Sequence, residues 1–256
     1  MLGAIAGDVS GSVHEWAGTK TTAFPLWDPA SSFTDDTVLT LAVAEHLLGR
    51  GALVDLLHAW ARAYPGAGYG GRFHHWVRTG AREPYGSWGN GSAMRVAPVG
   101  FAASDRDDAW ELAARSAAVT HDHPEGVRGA RAVALAIVAA REGGDAAAIR
   151  AAVEEATGYD LSVPLAEIRP GYGFDVSCQG SVPPAIRAAL EASSCEEAIR
   201  LAISLGGDAD TMACIAGGIA QARFGLEPEL RAGTLERLDA RMREVVAAFG
   251  AAYPTG

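Results

Sequence analysis

The chain has 256 residues, and its 21 basic and 31 acidic side chains give a formal net charge of −10. Apolar residues make up 49% and aromatic residues 7%, which is ordinary for a globular protein with one continuous core. The negative charge excludes a broad surface for nucleic acid, although a few backbone N–H groups can hold a phosphate locally.

The N-terminal segment lacks the features of a signal peptide, because it has no basic region and Asp8 and glycines interrupt its apolar residues. No apolar run approaches the roughly 20 residues of a membrane span. Three scattered cysteines show no zinc-binding spacing and are typical of buried thiols in a reducing compartment. We therefore expect a cytoplasmic protein without membrane association.

The first clear helix begins after Phe33. Thr34 is a good N-cap, acidic residues follow in the first turn, apolar residues recur at the helical period, and Gly49 and Gly51 end the segment. Further helices are predicted at 53–64, 107–119, 124–142, 144–157, 183–193, 195–205, 209–223 and 227–249. The glycine-rich connectors are 15–33, 65–72, 83–92, 158–182 and 206–208. Alternating strand-like runs are nearly absent and no break in composition marks a domain boundary, so we predict one all-α domain over residues 1–256.

Two distant helix starts share an acidic pattern, TDDT at 34–37 and DADT at 208–211. Each alone is explained by helix capping. Together they offer the hard oxygen donors that Mg²⁺ or Mn²⁺ requires, and four aspartates balance the charge of two dications. The candidate metal ligands are Thr34, Asp35, Asp36, Asp208, Asp210 and Thr211.

DADT is also reminiscent of the DxDxT signature of haloacid-dehalogenase-type phosphatases, but its spacing differs and no apolar strand precedes it, so we reject that interpretation.

Five segments, in this order, resemble the successive motifs of the ADP-ribosylglycohydrolase family: GAIAGDVSGSVHEW, FTDDTVLTLAVAEHLL, GSWGNGSAMRVAPVG, THDHPEGVRGARAVALAI and GGDADTMACIAGGIA. The resemblance extends from residue 3 to about residue 223. It implies an all-α orthogonal bundle with two Mg²⁺ or Mn²⁺ ions bound by the ligand candidates above. It further implies hydrolysis of the glycosidic bond between ADP-ribose and a modified protein or small conjugate, with ADP-ribose as product.

The resemblance assigns catalytic roles to Glu15, Asp36 and Asp210. Glu15 occupies the position of an acidic residue in the family's first motif, and as a carboxylate near the metals it would serve as general base or general acid. Without the resemblance, a surface or capping residue is the better explanation of Glu15. Asp8 has a weaker claim and is expected to hold its loop by hydrogen bonds.

The expected substrate contacts begin with a glycine loop, Ser87, Trp88, Gly89, Asn90 and Gly91. Successive glycines can direct several N–H groups at a diphosphate, although such a cluster alone is more often a turn. In the family the matching loop contacts the phosphates and ribose of ADP-ribose.

Further contacts are expected from His121, Gly68, Tyr69, Tyr172 and Phe174. The resemblance puts His121 near the distal ribose or a phosphate, and because the metals are hard we do not expect it to be a ligand. Gly68 and Tyr69 are candidates for another wall of the pocket. Tyr172 or Phe174 would stack on adenine, and a core position is an equally good explanation for either.

Two competing hypotheses are kept beside the hydrolase. One is a noncatalytic ADP-ribose binder of the same fold, since a fold does not ensure an activity. The other is a Mg²⁺-dependent phosphohydrolase acting on a nucleotide diphosphate. The sequence leaves open whether the acceptor is arginine, serine, a nucleobase or an acetyl ester, and which of the two metals is preferred.

Overall fold

A computed structural model describes residues 1–254, which form fifteen α-helices and no strand. The helices are α1 (Leu2–Gly11), α2 (Asp35–Leu47), α3 (Leu53–Ala63), α4 (Gly71–Thr79), α5 (Gly91–Met94), α6 (Ala97–Ala102), α7 (Arg106–Ala118), α8 (Pro124–Arg141), α9 (Ala146–Thr157), α10 (Leu165–Ile168), α11 (Cys178–Glu191), α12 (Cys195–Ile203), α13 (Ala209–Phe224), α14 (Pro228–Glu236) and α15 (Ala240–Ala252). The predicted all-α bundle is confirmed.

Helix α13 is the central helix of the bundle. Every residue from Ala209 to Gln221 is buried, and the helix packs against α1, α8, α11 and α12. A helix that is apolar or small on all sides has no face for solvent and belongs in the middle of a core. The start of α13, which carries the second acidic pattern, is therefore held rigidly.

Helix α1 runs antiparallel to α13 at very short range. A Cβ atom on Gly7 would lie 2.0 Å from the carbonyl oxygen of Ala213, and one on Gly11 would lie 2.5 Å from the Cα of Asp210. Only glycine permits such an approach of two backbones. The contact brings the C-terminal end of α1 beside the N-terminal end of α13.

Asp8 attaches the start of α2 to the same point. Its carboxylate accepts hydrogen bonds from the N–H of Thr34 (3.0 Å), the hydroxyl of Thr34 (2.6 Å), the N–H of Thr37 (2.9 Å) and the hydroxyl of Thr37. The predicted N-cap role of Thr34 is confirmed, since its Oγ1 accepts a bond from the N–H of Asp36. The two acidic helix starts thus meet at the end of α1.

Several helix boundaries differ from the prediction. Helices α1, α4, α5, α6 and α10 were not predicted. The predicted start of a helix at 183 was wrong, because Ser177 caps α11 by accepting a bond from the N–H of Gly180 at 3.0 Å. The single helix predicted at 227–249 was also wrong. It is divided into α14 and α15, and the side chain of Asp239 caps the second of these.

One hydrophobic core extends from Met1 to Phe249. The predicted domain, 1–256, includes residues 255–256, which lie outside the described range. Among the helices of residues 1–254, none combines the length and the apolarity needed to cross a membrane.

Candidate active site

A cavity of about 420 Å³ opens where α1, α2 and α13 converge. The predicted site residues that line it are Glu15, Thr34, Asp35, Asp36, Gly68, Ser87, Gly89, Asn90, Gly91, His121, Phe174, Asp208, Asp210 and Thr211. Tyr69, Trp88 and Tyr172 do not line it. The volume lies in the range of small-molecule and cofactor sites.

Carboxylates in and beside the wall of this cavity form two overlapping groups of three. One oxygen each of Asp8, Asp36 and Asp210 lie within 4.8 Å of one another, and so do oxygens of Glu15, Asp208 and Asp210. Asp210, at the start of α13, belongs to both groups. The side chains of Asp36, Asp208 and Asp210 are at most 6% exposed, so solvent does little to separate their charges. We refer to Glu15, Asp36, Asp208 and Asp210 as the acidic cluster.

Burial is the main cause of the raised pKa values of the carboxyl groups in and beside the acidic cluster. It raises the pKa of Asp36 and of Asp210 well above the ordinary value, and the neighbouring carboxylates add to both shifts. Burial also raises the pKa of Asp35, to about 8. For Glu15, burial and then the charge of Asp208 raise the pKa, while contact with Trp16 acts in the opposite direction. Such a group of carboxylates holds either protons or cations.

The donor atoms fit a hard divalent cation. Among the described atoms, Oδ1 of Asp36 is buried without a hydrogen-bond partner. The hydroxyl of Thr211 donates to Oδ2 of Asp36 at 3.2 Å, so the lone pairs of its Oγ1 are left for another partner. Carboxylate and hydroxyl oxygens are the ligands that Mg²⁺ and Mn²⁺ prefer.

Asp8 lies next to the acidic cluster, but its carboxylate oxygens already have hydrogen-bond partners. Both of its oxygens accept the bonds from Thr34 and Thr37 that hold the start of α2. We therefore assign Asp8 to the support of α2, as expected from the sequence, rather than to a ligand set.

Asn90 holds one member of the acidic cluster, Asp208, by a hydrogen bond. Its Nδ2 donates to Oδ2 of Asp208 at 2.7 Å and to the hydroxyl of Ser181 at 3.2 Å. These bonds use the amide donors of a residue that we expected to contact substrate. The bond to Asp208 lowers the pKa of that carboxyl against the larger effect of burial. Asn90 orients a candidate ligand.

The glycine loop does not present the row of free N–H groups that its sequence indicates. The N–H groups of Gly86, Ser87, Gly89 and Asn90 bond, in that order, to Asp122, to the Thr120 carbonyl, to the Ser87 hydroxyl and to the Val176 carbonyl. An isolated antiparallel bridge between Gly89 and Ser177 fixes the loop against the start of α11. The loop lines the cavity with Ser87, Gly89, Asn90 and Gly91, and the N–H groups of three of these residues are already bonded within the protein.

A basic group at the same cavity was missed in the sequence. Arg95 is fully buried, and its Nη2 donates to the Ser116 carbonyl (3.1 Å) and to the Thr120 hydroxyl (2.9 Å). Within residues 1–254 its Nε and Nη1 have no partner, and burial lowers its pKa to about 10. Arg95 belongs to the quoted motif GSAMRVAPVG, but arginine is normally exposed and its position in a motif gives no sign of burial.

His121 and Arg72 complete this basic group. Nδ1 of His121 lies 2.7 Å from the Thr120 hydroxyl, and burial lowers the pKa of His121 well below its ordinary value, with Arg95 and Arg72 adding to the shift. The Arg72 guanidinium lies 5.0 Å from the centre of the Tyr85 ring, which faces His121. The cavity thus has acidic residues on one part of its wall and cationic or donor groups on another.

The aromatic residues that we expected to contact substrate differ in whether they lie at the cavity. The hydroxyl of Tyr172 donates to the Gly180 carbonyl at 2.9 Å, and its ring packs so closely on Gly207 that a Cβ there would lie 2.4 Å from Cε1. Tyr69 packs against Phe73, and Trp88 lies 46% exposed outside the cavity lining. Phe174 lines the cavity and stacks on Trp16 with ring centres 4.5 Å apart. Of the two predicted adenine contacts, only Phe174 is therefore placed at the cavity.

The chain is similar to known proteins in both sequence and structure. A family model described as ADP-ribosylglycohydrolase matches residues 1–254. The chain is similar to ADP-ribosylhydrolase ARH3 of Mus musculus, at 30% identity over 89% of this chain and 83% of that protein. It is also similar to ADP-ribosylarginine hydrolase Tri1 of Pseudomonas putida (strain GB-1), at 25% identity over 88% of this chain and 70% of that protein. A solved structure, an ADP-ribosylglycohydrolase-related protein complex, has a TM-score of 0.70 and 29% identity, and the match covers 99% of this chain and 96% of that one.

Proposed function

The chain belongs to the ADP-ribosylglycohydrolase family, and from this we propose that it hydrolyses the glycosidic bond between ADP-ribose and a modified acceptor with the help of two divalent cations. The substrate would be an ADP-ribosylated protein or small conjugate, and the product ADP-ribose. The observation that carries the proposal is the buried acidic cluster, built on the starts of α2 and α13 and sharing one cavity with a buried arginine and histidine.

We assign the cations, Mg²⁺ or Mn²⁺, to the six residues of the two helix starts. Asp36, Asp208 and Asp210 supply buried carboxylates, and Asp35, which also lines the cavity, supplies a fourth. Thr34 and Thr211 each direct a hydroxyl proton at an aspartate. Because Thr34 Oγ1 also accepts the N–H of Asp36, it keeps one lone pair for a cation, and Thr211 Oγ1 keeps both. When bound, the cations supply Lewis acidity and the positive charge that allows the whole cluster to ionise.

Glu15 is the proposed proton-transfer residue. It is half-buried at the cavity, and one of its carboxylate oxygens lies within 4.8 Å of oxygens of Asp208 and Asp210. Its raised pKa makes it a better proton acceptor than a free glutamate. We propose that Glu15 accepts a proton from the attacking water or returns one to the leaving group.

The uneven charge of the cavity supports one orientation for ADP-ribose. The distal ribose would lie at the acidic cluster, which puts the scissile bond beside Glu15. The diphosphate would lie toward Arg95 and His121, where buried nitrogen donors face the cavity. Holding both parts of the substrate in one rigid cavity supplies the positioning that catalysis of this kind depends on.

The test is release of ADP-ribose from a panel of defined conjugates linked through arginine, serine, a nucleobase or an acetyl ester. Each is incubated with Mg²⁺, with Mn²⁺ or with a chelator, and the products are identified by mass spectrometry. Cation-dependent release of intact ADP-ribose is the expected result. Binding of ADP-ribose without release from any conjugate would favour the noncatalytic binder, and release of AMP would favour a phosphohydrolase.

A further inference from the structure

Lys20 is the only lysine in the sequence, and all the other basic residues are arginine. It lies in the segment between α1 and α2, five residues after Glu15. The single lysine is therefore close in sequence to a residue of the candidate site. Its contacts show what it holds together.

The Lys20 ammonium donates to three backbone carbonyls. The acceptors are the oxygens of Arg169 at 2.9 Å, Tyr172 at 2.6 Å and Leu205. An ammonium has three donors, so these bonds use all of them, and no carboxylate takes part. Partial loss of solvent lowers the pKa of Lys20, with a smaller effect from Arg169.

The three carbonyls belong to two other segments of the cavity wall. Arg169 and Tyr172 begin the segment that leads to Phe174, and Leu205 comes three residues before Asp208. The packing at this junction is close, since a Cβ on Gly206 would lie 3.0 Å from Cε of Lys20. The stacked rings of Trp16 and Phe174 join the same segments a second time.

An ammonium suits this junction because its three donors diverge from one nitrogen, so a single atom can serve all three carbonyls. A guanidinium spreads its five donors over three nitrogens in one plane, with at most two on each terminal nitrogen. Charge-assisted bonds of this kind are stronger than neutral ones. Arginine would keep the charge at this position but not the arrangement of the bonds.

We propose that Lys20 is a positioning residue, which fixes the Glu15 segment against the segments that carry Phe174 and Asp208 and so sets Glu15 relative to Asp208 and Asp210. The kinetic part of this inference rests on the proposed function. The structural part does not.

The experiment compares the wild-type enzyme, loaded with Mg²⁺ or Mn²⁺, with Lys20→Met, Lys20→Arg and Lys20→Cys. We expect each substitution to lower kcat on the order of 100-fold, the usual effect of a misplaced catalytic group, with KM and cation affinity changed by less than about threefold. Treating Lys20→Cys with 2-bromoethylamine installs a lysine analogue and should restore kcat. The native cysteines are buried, and burial raises the pKa of the Cys178 thiol to about 12, so the new thiol reacts selectively.

Arg223→Met is the matched control. The Nη1 of Arg223 lies within hydrogen-bond distance of three carbonyls, those of Ala189, Leu190 and Ala192, which share its two N–H groups, and Arg223 does not line the cavity. Its loss should lower thermal stability and leave kcat unchanged. Amide hydrogen exchange should rise at 12–22 and 169–176 in Lys20→Met and should not rise there in Arg223→Met.

Three results would overturn the proposal: full kcat in Lys20→Met, full kcat in Lys20→Arg, or no recovery after aminoethylation of a folded Lys20→Cys protein. Unchanged exchange at 12–22 in Lys20→Met would overturn it as well. If the wild-type enzyme releases no ADP-ribose, the proposed function fails, and the exchange comparison still decides whether Lys20 holds the junction.

Discussion

The hydroxyl of Thr211 lies 3.2 Å from Oδ2 of Asp36, although 175 positions separate the two residues in the chain. Each residue belongs to the first turn of its own helix, α13 and α2, so the bond joins the two acidic helix starts directly. Capping alone does not require the two helix starts to meet. The contact puts the oxygen atoms of both helix starts at one place, as the proposed cation site requires.

Replacing Asp210 by asparagine should abolish most turnover and remove one cation. Asp210 belongs to both carboxylate groups, so its loss leaves neither complete. We expect kcat to fall at least about 100-fold, the upper end of what losing even an outer partner of a metal site causes. Isothermal titration calorimetry with Mn²⁺ should count one site fewer, and Asp107→Asn on the exposed face of α7 should change neither quantity. Two retained cations with full activity would contradict the two-metal assignment.

The metal-free protein should lose stability as the pH rises from about 4 to about 8. The unfolded aspartates ionise near pH 4, whereas burial raises the pKa of Asp35 to about 8 and that of Asp36 and Asp210 well above normal. Over this window the folded state binds more protons than the unfolded state, so the free energy of unfolding falls as the pH increases. Urea unfolding at pH 5 and pH 8 with a chelator measures the fall, and saturating Mg²⁺ should reduce it. A metal-free protein that is more stable at pH 8 would contradict the electrostatic account.

Replacing Glu15 by glutamine should slow hydrolysis and leave binding intact. Glutamine keeps the size of the side chain and cannot transfer a proton, so we expect a loss in kcat of about 10²- to 10⁴-fold. The limb of the pH–rate profile that reports the ionisation of Glu15 should disappear with it. Calorimetry with ADP-ribose and with Mn²⁺ checks that both affinities stay near wild type. Equal losses in binding and turnover would instead indicate that Glu15 supports the loop.

Replacing Thr37 by valine should destabilise the fold by about 1.5–3 kcal/mol, because its buried hydroxyl donates to the carboxylate of Asp8. Thr40→Val provides a control one turn further along the same helix. The Thr40 hydroxyl is equally buried but makes only one long bond, 3.5 Å, to the Met94 carbonyl. Urea unfolding of the two variants should therefore differ clearly. Equal losses would show that Asp8 contributes little to holding α2.

The sequence predicted the parts of the site whose signal is local. The cap at Thr34 and the acidic first turns are patterns within a few residues, and the structure has both helices where these patterns indicate them. Helix α1 was missed because its glycines have low helix propensity, and only packing on α13 compensates for them. The same limit applies to Asn90 and Arg95. Their roles depend on the neighbours that the fold supplies, Asp208 for one and Thr120 for the other.

The backbone contact between α1 and α13 has a consequence for the precision of the site. A helix advances 1.5 Å per residue, so a slip of one residue along α13 would carry Asp8 and the attachment of the Glu15 segment that far from Asp210. The glycines interlock with the facing backbone at a single axial register, because a Cβ at Gly7 would overlap the Ala213 carbonyl. The axial register of the two helices therefore determines how far the carboxylates carried by the α1 end lie from those at the start of α13.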